Sequence, residues 1–383
     1  MKKKIFYYTQ IFYLDCAIEY IKLASKEFNI SLYIELSPEA LQANIFNLSI
    51  NLNSYSSLID YEDVKFDWGI NFLENYIENC DVIRFVVHPN KRSLSLNSFF
   101  ISLSFNNIFK NENFDYIHLE DISLRTIGFL PYMFTHRDKL ILNVHDPKAH
   151  SGEFSYKKEI LKHIYYRIIM KYICFSNYSK NLLSNQFNDK LIYVINLLPY
   201  SYYQNFIKIN NNNNNKNKIS FVGRISKYKG IDLFIEAINL VKKQFPNQEY
   251  QIAGKFINEY KLNLKDLELN KVNILNQHLS NNLLVEIIQS SKIIVCPYRD
   301  ATQSGVIMTA YALNCPVIVT PVGGLPEYVN DKVTGIITKE TTVEGIADAI
   351  IVFLKNKLTG NNEDFLLNNF RIHNINQFYL IYS

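Results

Sequence analysis

Arg224 and Lys229 stand together just after an apolar run, in FVGRISKYKG at residues 221–230. An arginine offers a planar fork of donors for phosphate oxygens, and a lysine offers a mobile point charge. Further along, the polar stretch Asp300, Ala301, Thr302, Gln303, Ser304 leads into Gly305 and Val306, where a helical pattern opens. Ser304 suits an N-cap, because its hydroxyl can accept from a free N–H of the first turn. A helix N-terminus there would aim unpaired N–H groups and a partial positive charge at one spot, which suits a phosphate. Each feature also has a plain reading: a solvated cation, or a serine that merely caps a helix. A third group is NVHDPKAHSGE, which places His145, Asp146 and His150 directly after another apolar run. Two imidazoles and a carboxylate in that position fit a cleft role. They resemble metal ligands, but the spacing supplies no third one, so no metal is expected.

What must position these residues is an α/β chain in which buried strands alternate with helices. In the first half, the spacing predicts strands at 4–8, 31–35, 81–87, 116–119, 140–144, 173–176 and 191–195. Helices are predicted at 15–27, 68–77, 98–109, 122–134 and 156–172. In the second half, strands are predicted at 219–222, 250–253, 272–275, 292–296, 316–320 and 335–338. Helices are predicted near 230–244, 260–268, 281–290, 305–314, 325–329 and 342–355. The run of six asparagines at 210–215 cannot build a core and marks a linker. The boundaries are therefore 1–205 for a first domain, 206–218 for an Asn-rich linker and 219–360 for a second doubly wound domain. Residues 361–383 form a tail expected to pack back on the first domain. Ligands of open parallel sheets bind beyond the carboxyl ends of the strands. Arg224, Lys229, Gly254, Gln277, His278 and the loop 300–305 all fall at such ends.

Composition excludes several classes. The 383 residues are 48% hydrophobic and 20% charged, and 40 basic against 36 acidic residues leave a net charge of +4. That is too small a bias to point to a nucleic acid. Five scattered cysteines without a CxxC pair suggest neither a disulfide framework nor a zinc site, so a cytoplasmic setting is expected. The start, MKKKIFYYTQIF, lacks the pattern of a signal peptide, and no apolar run approaches the roughly 18 residues of a spanning helix. In the helix predicted at 156–172, Lys158, Lys162, Arg167 and Lys171 share one face; it could sit on the anionic inner face of a membrane or simply face water. No strand is followed by GxGxxG, which argues against a nicotinamide dehydrogenase.

With these residues in hand, the chain resembles the family 4 retaining glycosyltransferases of the GT-B type. The resemblance is carried by FVGRISKYKGIDLFIEAI, QIAGK, VCPYRDATQSGV, CPVIVTPVGGLPEYV and GIIT between residues 219 and 354, and more weakly by VHDPKAHSGE and FSNYSK. It implies two Rossmann-like domains facing each other across a cleft. It also implies transfer of a sugar from a nucleotide-diphosphate donor to a saccharide or lipid-linked acceptor, with retention and without a metal or other cofactor. By position, Arg224 and Lys229 would hold the diphosphate, and Ser304, Gly305 and Val306 would cradle its oxygens. The stretch around Gln277 and His278 would face the base, Gly254 would belong to the donor site, and Thr309 could offer one hydrogen bond to the ribose. His145 and Asp146 would face the sugar. Two departures stand out. Where many members carry two glutamates eight positions apart, this chain has Ala301 and Thr309, so Asp300 or Gln303 would supply the polar contacts. The loop TQIFYLDC lacks the glycine pair of many members. Glu327 in GGLPE matches the pattern, with capping, interdomain contact and ligand binding all open. The alternatives are a non-catalytic partner subunit that binds nucleotide-sugar, and a nucleotide-sugar epimerase.

Overall fold

The computed structural model describes residues 2–43, 45–148, 156–208, 216–256, 272–356 and 365–383. The asparagine run, His150 and the helix predicted at 260–268 lie outside the described residues. The first sheet comprises β1 (Lys4–Gln10), β2 (Asn29–Leu36), β3 (Leu58–Asp60), β4 (Cys80–Val87), β5 (Tyr116–Leu119), β6 (Leu140–Val144), β7 (Lys171–Cys174) and β8 (Leu191–Val194). Its order is β3-β4-β2-β1-β5-β6-β7-β8. Every pairing is parallel except β3 against β4. Strands covered on both faces read as unbroken apolar runs, and β6, LILNV, is buried along its whole length. Short β3 is the antiparallel edge that the alternation does not announce; Asp60 holds it to β4 through Arg84 at 2.6 Å.

The second sheet comprises β9 (Lys218–Val222), β10 (Glu249–Ala253), β11 (Asn273–Leu275), β12 (Ser291–Cys296), β13 (Val317–Val319) and β14 (Gly335–Ile337), in the order β11-β10-β9-β12-β13-β14. The strand order reverses between β9 and β12, and in the first sheet between β1 and β5. Such switch points open a crevice at the carboxyl ends of the strands.

The C-terminal helix Phe365–Ile381 packs against the first domain. Asn374 exchanges two hydrogen bonds with the backbone of Asn196, at 2.9 and 2.8 Å, and Lys171 Nζ donates to the Ile381 carbonyl at 2.7 Å.

Several expectations are corrected. The segment 68–77 is not one helix but a 3-10 turn, Asn71–Leu73, followed by the short helix Glu74–Ile77. Likewise 122–134 divides into the 3-10 segment Leu124–Phe129 and the helix Leu130–Thr135. Here Pro131 fits the first turn, where its missing N–H is not needed. The basic helix ends at Ile168, and Lys171 belongs to β7. Lys162 Nζ donates to the Pro147 carbonyl at 2.7 Å. Two of the four cations of that supposed face are thus engaged within the fold. Among the described residues, no helix is long and apolar enough to cross a membrane.

Candidate active site

The two crevices face each other. Between the domains lies a cavity of about 970 Å³, with Arg224, Lys229, Gly254, His278, Gly305, Val306 and Thr309 on the second-domain side. Asp15, Gln42 and Tyr203 close it from the other side. A smaller space of about 180 Å³ adjoins it, sharing Arg224, Lys229, Gly305 and Val306 and adding Asp146, Gln303 and Ser304.

Local structure explains the basic rim. β9 runs into Gly223, and a side chain there would come within 3.2 Å of both Lys229 Nζ and Val306 Cγ2. The glycine therefore makes room for the ammonium beside the start of the helix Gly305–Ala312. The 3-10 turn Lys227–Lys229 carries Lys229 back over the strand end, where its Nζ lies 5.2 Å from the centre of the Tyr298 ring. Neighbouring Arg299 is not part of this rim. It forms a two-pronged pair with Asp232, 2.7 Å on each side, and anchors the loop instead.

The helix opens at Gly305 with Ser304 in the cap position, but the Ser304 hydroxyl makes no capping hydrogen bond; this corrects the sequence reading. The first-turn amides of Gly305 and Val306 are therefore not occupied by that side chain. Thr309 lines the cavity, yet its hydroxyl already donates to the Gly305 carbonyl at 2.9 Å. Ala301 is buried. Neither position offers a carboxylate. Asp300 and Gln277 line neither cavity.

His145 follows β6 and is almost fully buried. Tyr13 stacks on its ring with centroids 4.1 Å apart, and Phe175 packs at 4.7 Å. Its Nε2 lies 2.8 Å from Glu120 Oε1, and its Nδ1 lies 2.9 Å from Gln303 Nε2 across the cleft. Burial alone would push this imidazole down. The hydrogen bond and charge of Glu120, helped by Asp121 and Asp146, hold it above its ordinary value. Asp146 Oδ1 accepts from the Thr302 hydroxyl at 2.5 Å. The loop of the second domain therefore reaches over and grips both His145 and Asp146. His145 itself lines neither cavity; the Gln303 side chain stands in front of it.

Glu120, Asp15 and Cys16 escape the sequence reading. Glu120 follows β5 directly, so the carboxyl-end rule that singles out His145 could have found it. Ligand atoms of Cys16, Glu120 and His145 lie within 4.8 Å of one another. The spacing around His145 shows no third metal-type side chain, and the fold brings these two to it from other elements. The three are nonetheless accounted for as a hydrogen-bonded set, since the Glu120 carboxylate accepts from Tyr7, Asn143, His145 and the Cys16 thiol. Burial, then the charges of Glu120 and Asp15, push that thiol well up, which disfavours the thiolate a metal would need.

Comparison with known proteins agrees with this architecture. Residues 203–366 match the family model of glycosyl transferases, group 1. A D-inositol 3-phosphate glycosyltransferase of Corynebacterium aurimucosum is 28% identical over 140 residues, 34% of this chain and 33% of that protein. An uncharacterized glycosyltransferase of Methanocaldococcus jannaschii is 26% identical over 191 residues, 49% of this chain and 50% of that one. The chain thus spans a third to a half of the length of these curated relatives. HepE of Anabaena, in complex with UDP-glucose, superimposes with a TM-score of 0.63 at 15% identity, covering 98% of each chain. The chain has the two-domain GT-B fold of glycosyltransferases, and residues 203–366 match the glycosyl transferases group 1 model.

Proposed function

We propose that this protein is a retaining glycosyltransferase, moving a hexose from a nucleotide-diphosphate sugar to a saccharide or lipid-linked saccharide in surface polysaccharide or glycolipid synthesis. The observation that carries the reading is the interdomain cavity in which Arg224 and Lys229 face the N-terminus of the helix Gly305–Ala312. In the transfer, the C1–O bond to the diphosphate breaks and a C1–O bond to the acceptor hydroxyl forms on the same face of the sugar. The hydroxyl proton passes to the departing diphosphate oxygen. Negative charge grows on that diphosphate, and fixed cations and amides stabilise it without rearranging. His145 Nδ1 and Asp146 would meet the sugar hydroxyls once Gln303 and Thr302 release them. The UDP-glucose bound by HepE makes UDP-hexoses the first donors to test.

A second reading, donor binding without turnover, is favoured by the lack of a carboxylate at Ala301 and Thr309. One experiment separates the two: thermal shift and donor hydrolysis across a panel of nucleotide sugars. Stabilisation by one nucleotide family with slow hydrolysis is expected. Stabilisation without hydrolysis, even with saccharide acceptors added, would favour the binding subunit. No response to any nucleotide would overturn both.

A further inference from the structure

A file of buried polar side chains crosses the first domain from the C-terminal helix to the cleft. Tyr382, next after the helix Phe365–Ile381, places its hydroxyl 2.6 Å from His118 Nδ1. His118 Nε2 lies 2.7 Å from Asn143 Oδ1, and Asn143 Nδ2 lies 3.0 Å from Glu120 Oε2. Glu120 Oε1 then meets His145 Nε2 at 2.8 Å. Tyr382, His118, Asn143, Glu120 and His145 are 2, 0, 1, 1 and 5% exposed, so water does not interrupt the line. His118 and Glu120 are two positions apart at the end of β5, as are Asn143 and His145 on the neighbouring β6. They therefore share one face of the sheet. That face of a parallel sheet is ordinarily apolar, and burying polar groups there costs free energy unless each is paired.

The pairing fixes a direction. A carboxylate only accepts, so Asn143 turns its Nδ2 to Glu120 and its Oδ1 to His118. Burial holds the His118 imidazole down at about 4 despite the Asn143 hydrogen bond, so the ring carries one proton. That proton must sit on Nε2, and Nδ1 accepts from Tyr382, whose oxygen in turn accepts from the Tyr20 hydroxyl at 2.6 Å. From the other end, His145 donates through Nε2 to Glu120, and its Nδ1 accepts from Gln303 Nε2, the side chain that stands between it and the cleft.

We infer that this file is a positioning device, through which Tyr382 at the end of the C-terminal helix steadies His118, Asn143 and Glu120 and so holds the neutral His145 ring as the Nε2–H tautomer, with Nδ1 turned as an acceptor toward Gln303 and the cleft behind it. Tyr382 acts only through the other members. Its consequence for turnover rests on the sugar-transfer reading; the tautomer does not.

The test is Tyr382→Phe in the full chain, followed by the 15N signals of selectively labelled histidines and by steady-state kinetics. At a pH above the titration of His145, where its ring is neutral, wild type should give one His145 tautomer with an unprotonated Nδ1. Tyr382→Phe should mix the tautomers and lower kcat about tenfold with KM for the donor unchanged, the pattern of lost alignment rather than lost binding. Tyr379→Phe removes from the C-terminal helix a hydroxyl that donates to Glu27, outside the file, and should leave the His145 signals unchanged. Should Tyr382→Phe not fold, Asn143→Leu breaks the file at its middle and carries the same expectation. Unchanged His145 signals in the folded variant, or the same change in Tyr379→Phe, would overturn the inference. A tautomer shift in a protein that turns over no nucleotide sugar would instead keep this inference and sink the transfer reading.

Discussion

Glu327 of the second domain caps a helix of the first: its carboxylate accepts from the backbone N–H of Asn177 at 2.7 Å and of Tyr178 at 2.8 Å. The helix Asn177–Ser184 already has its own cap, since Ser176 Oγ accepts from Ser179 N at 3.1 Å. Glu327 takes the two first-turn donors that the serine cannot reach, and places a negative charge where the helix dipole favours one. Of the roles open from sequence, capping and interdomain contact are thus one and the same. Glu327→Ala should cost about 1–2 kcal/mol, the usual range for a lost cap. Glu327→Gln, which still accepts, should cost less. Urea unfolding of the two variants checks the order, and equal stability with wild type would refute it.

Arg224 and Lys229 are expected to act on ligand rather than on fold. Arg224 is exposed and Lys229 half-buried, at the mouth of the same cavity. Replacing either by alanine should weaken nucleotide-sugar binding about 10- to 100-fold, the equivalent of one charge-assisted hydrogen bond. Calorimetry with UDP-glucose, alongside an unchanged melting curve, is the measurement. Wild-type affinity in both variants would mean that the diphosphate lies elsewhere.

Gly254 is expected to behave in the opposite way. Its φ is +143°, and a Cβ there would stand 2.0 Å from the Gly223 carbonyl oxygen. Backbone cannot yield as a flexible side chain can, so Gly254→Ala should destabilise the protein by at least about 2 kcal/mol. The same glycine borders the cavity, and its place just after β10 is what puts it among the donor contacts expected from the sequence. A stable Gly254→Ala protein with lost nucleotide affinity would restore that simpler role.

How far the sequence could be read follows from the distance over which each feature is encoded. β6 and β12 are apolar and continuous, and β9 runs straight into its glycine, so these strands and the rim at their ends are local signals. The stretch between β2 and β4 is held by non-periodic aromatic contacts, such as Trp68 against Phe85 and Tyr55. It therefore carries no helical or strand period to read. The partners of His145 are set by sheet order. Glu120 arrives from the next strand, Gln303 from the other domain, and Tyr382 from the chain end 264 positions after His118. No spacing rule links such residues. Only the rule that strand ends gather function could have brought Glu120 forward.

Asp15 gives the site a pH dependence. It sits in the first turn of the helix Leu14–Ala24 and lines the cavity opposite Arg224. Burial raises its carboxyl from 3.8 to about 6, although the Cys16 N–H, at 2.8 Å, and the charge of His145 pull the other way. Because the folded value lies above the unfolded one, the stabilising contribution is complete below about pH 4 and is lost as the pH rises through about 6. Above that, an ionised Asp15 faces the place proposed for the diphosphate. UDP-glucose has no group of its own titrating there, so its Kd should rise roughly fivefold between pH 5 and pH 7.5, as expected for about 1 kcal/mol of repulsion in a hydrated cleft. Asp15→Asn should bind with the acid-form affinity at both pH values. An equally steep pH dependence in Asp15→Asn would assign the effect to His145 or another group, and a flat wild-type profile would place the diphosphate beyond the reach of Asp15.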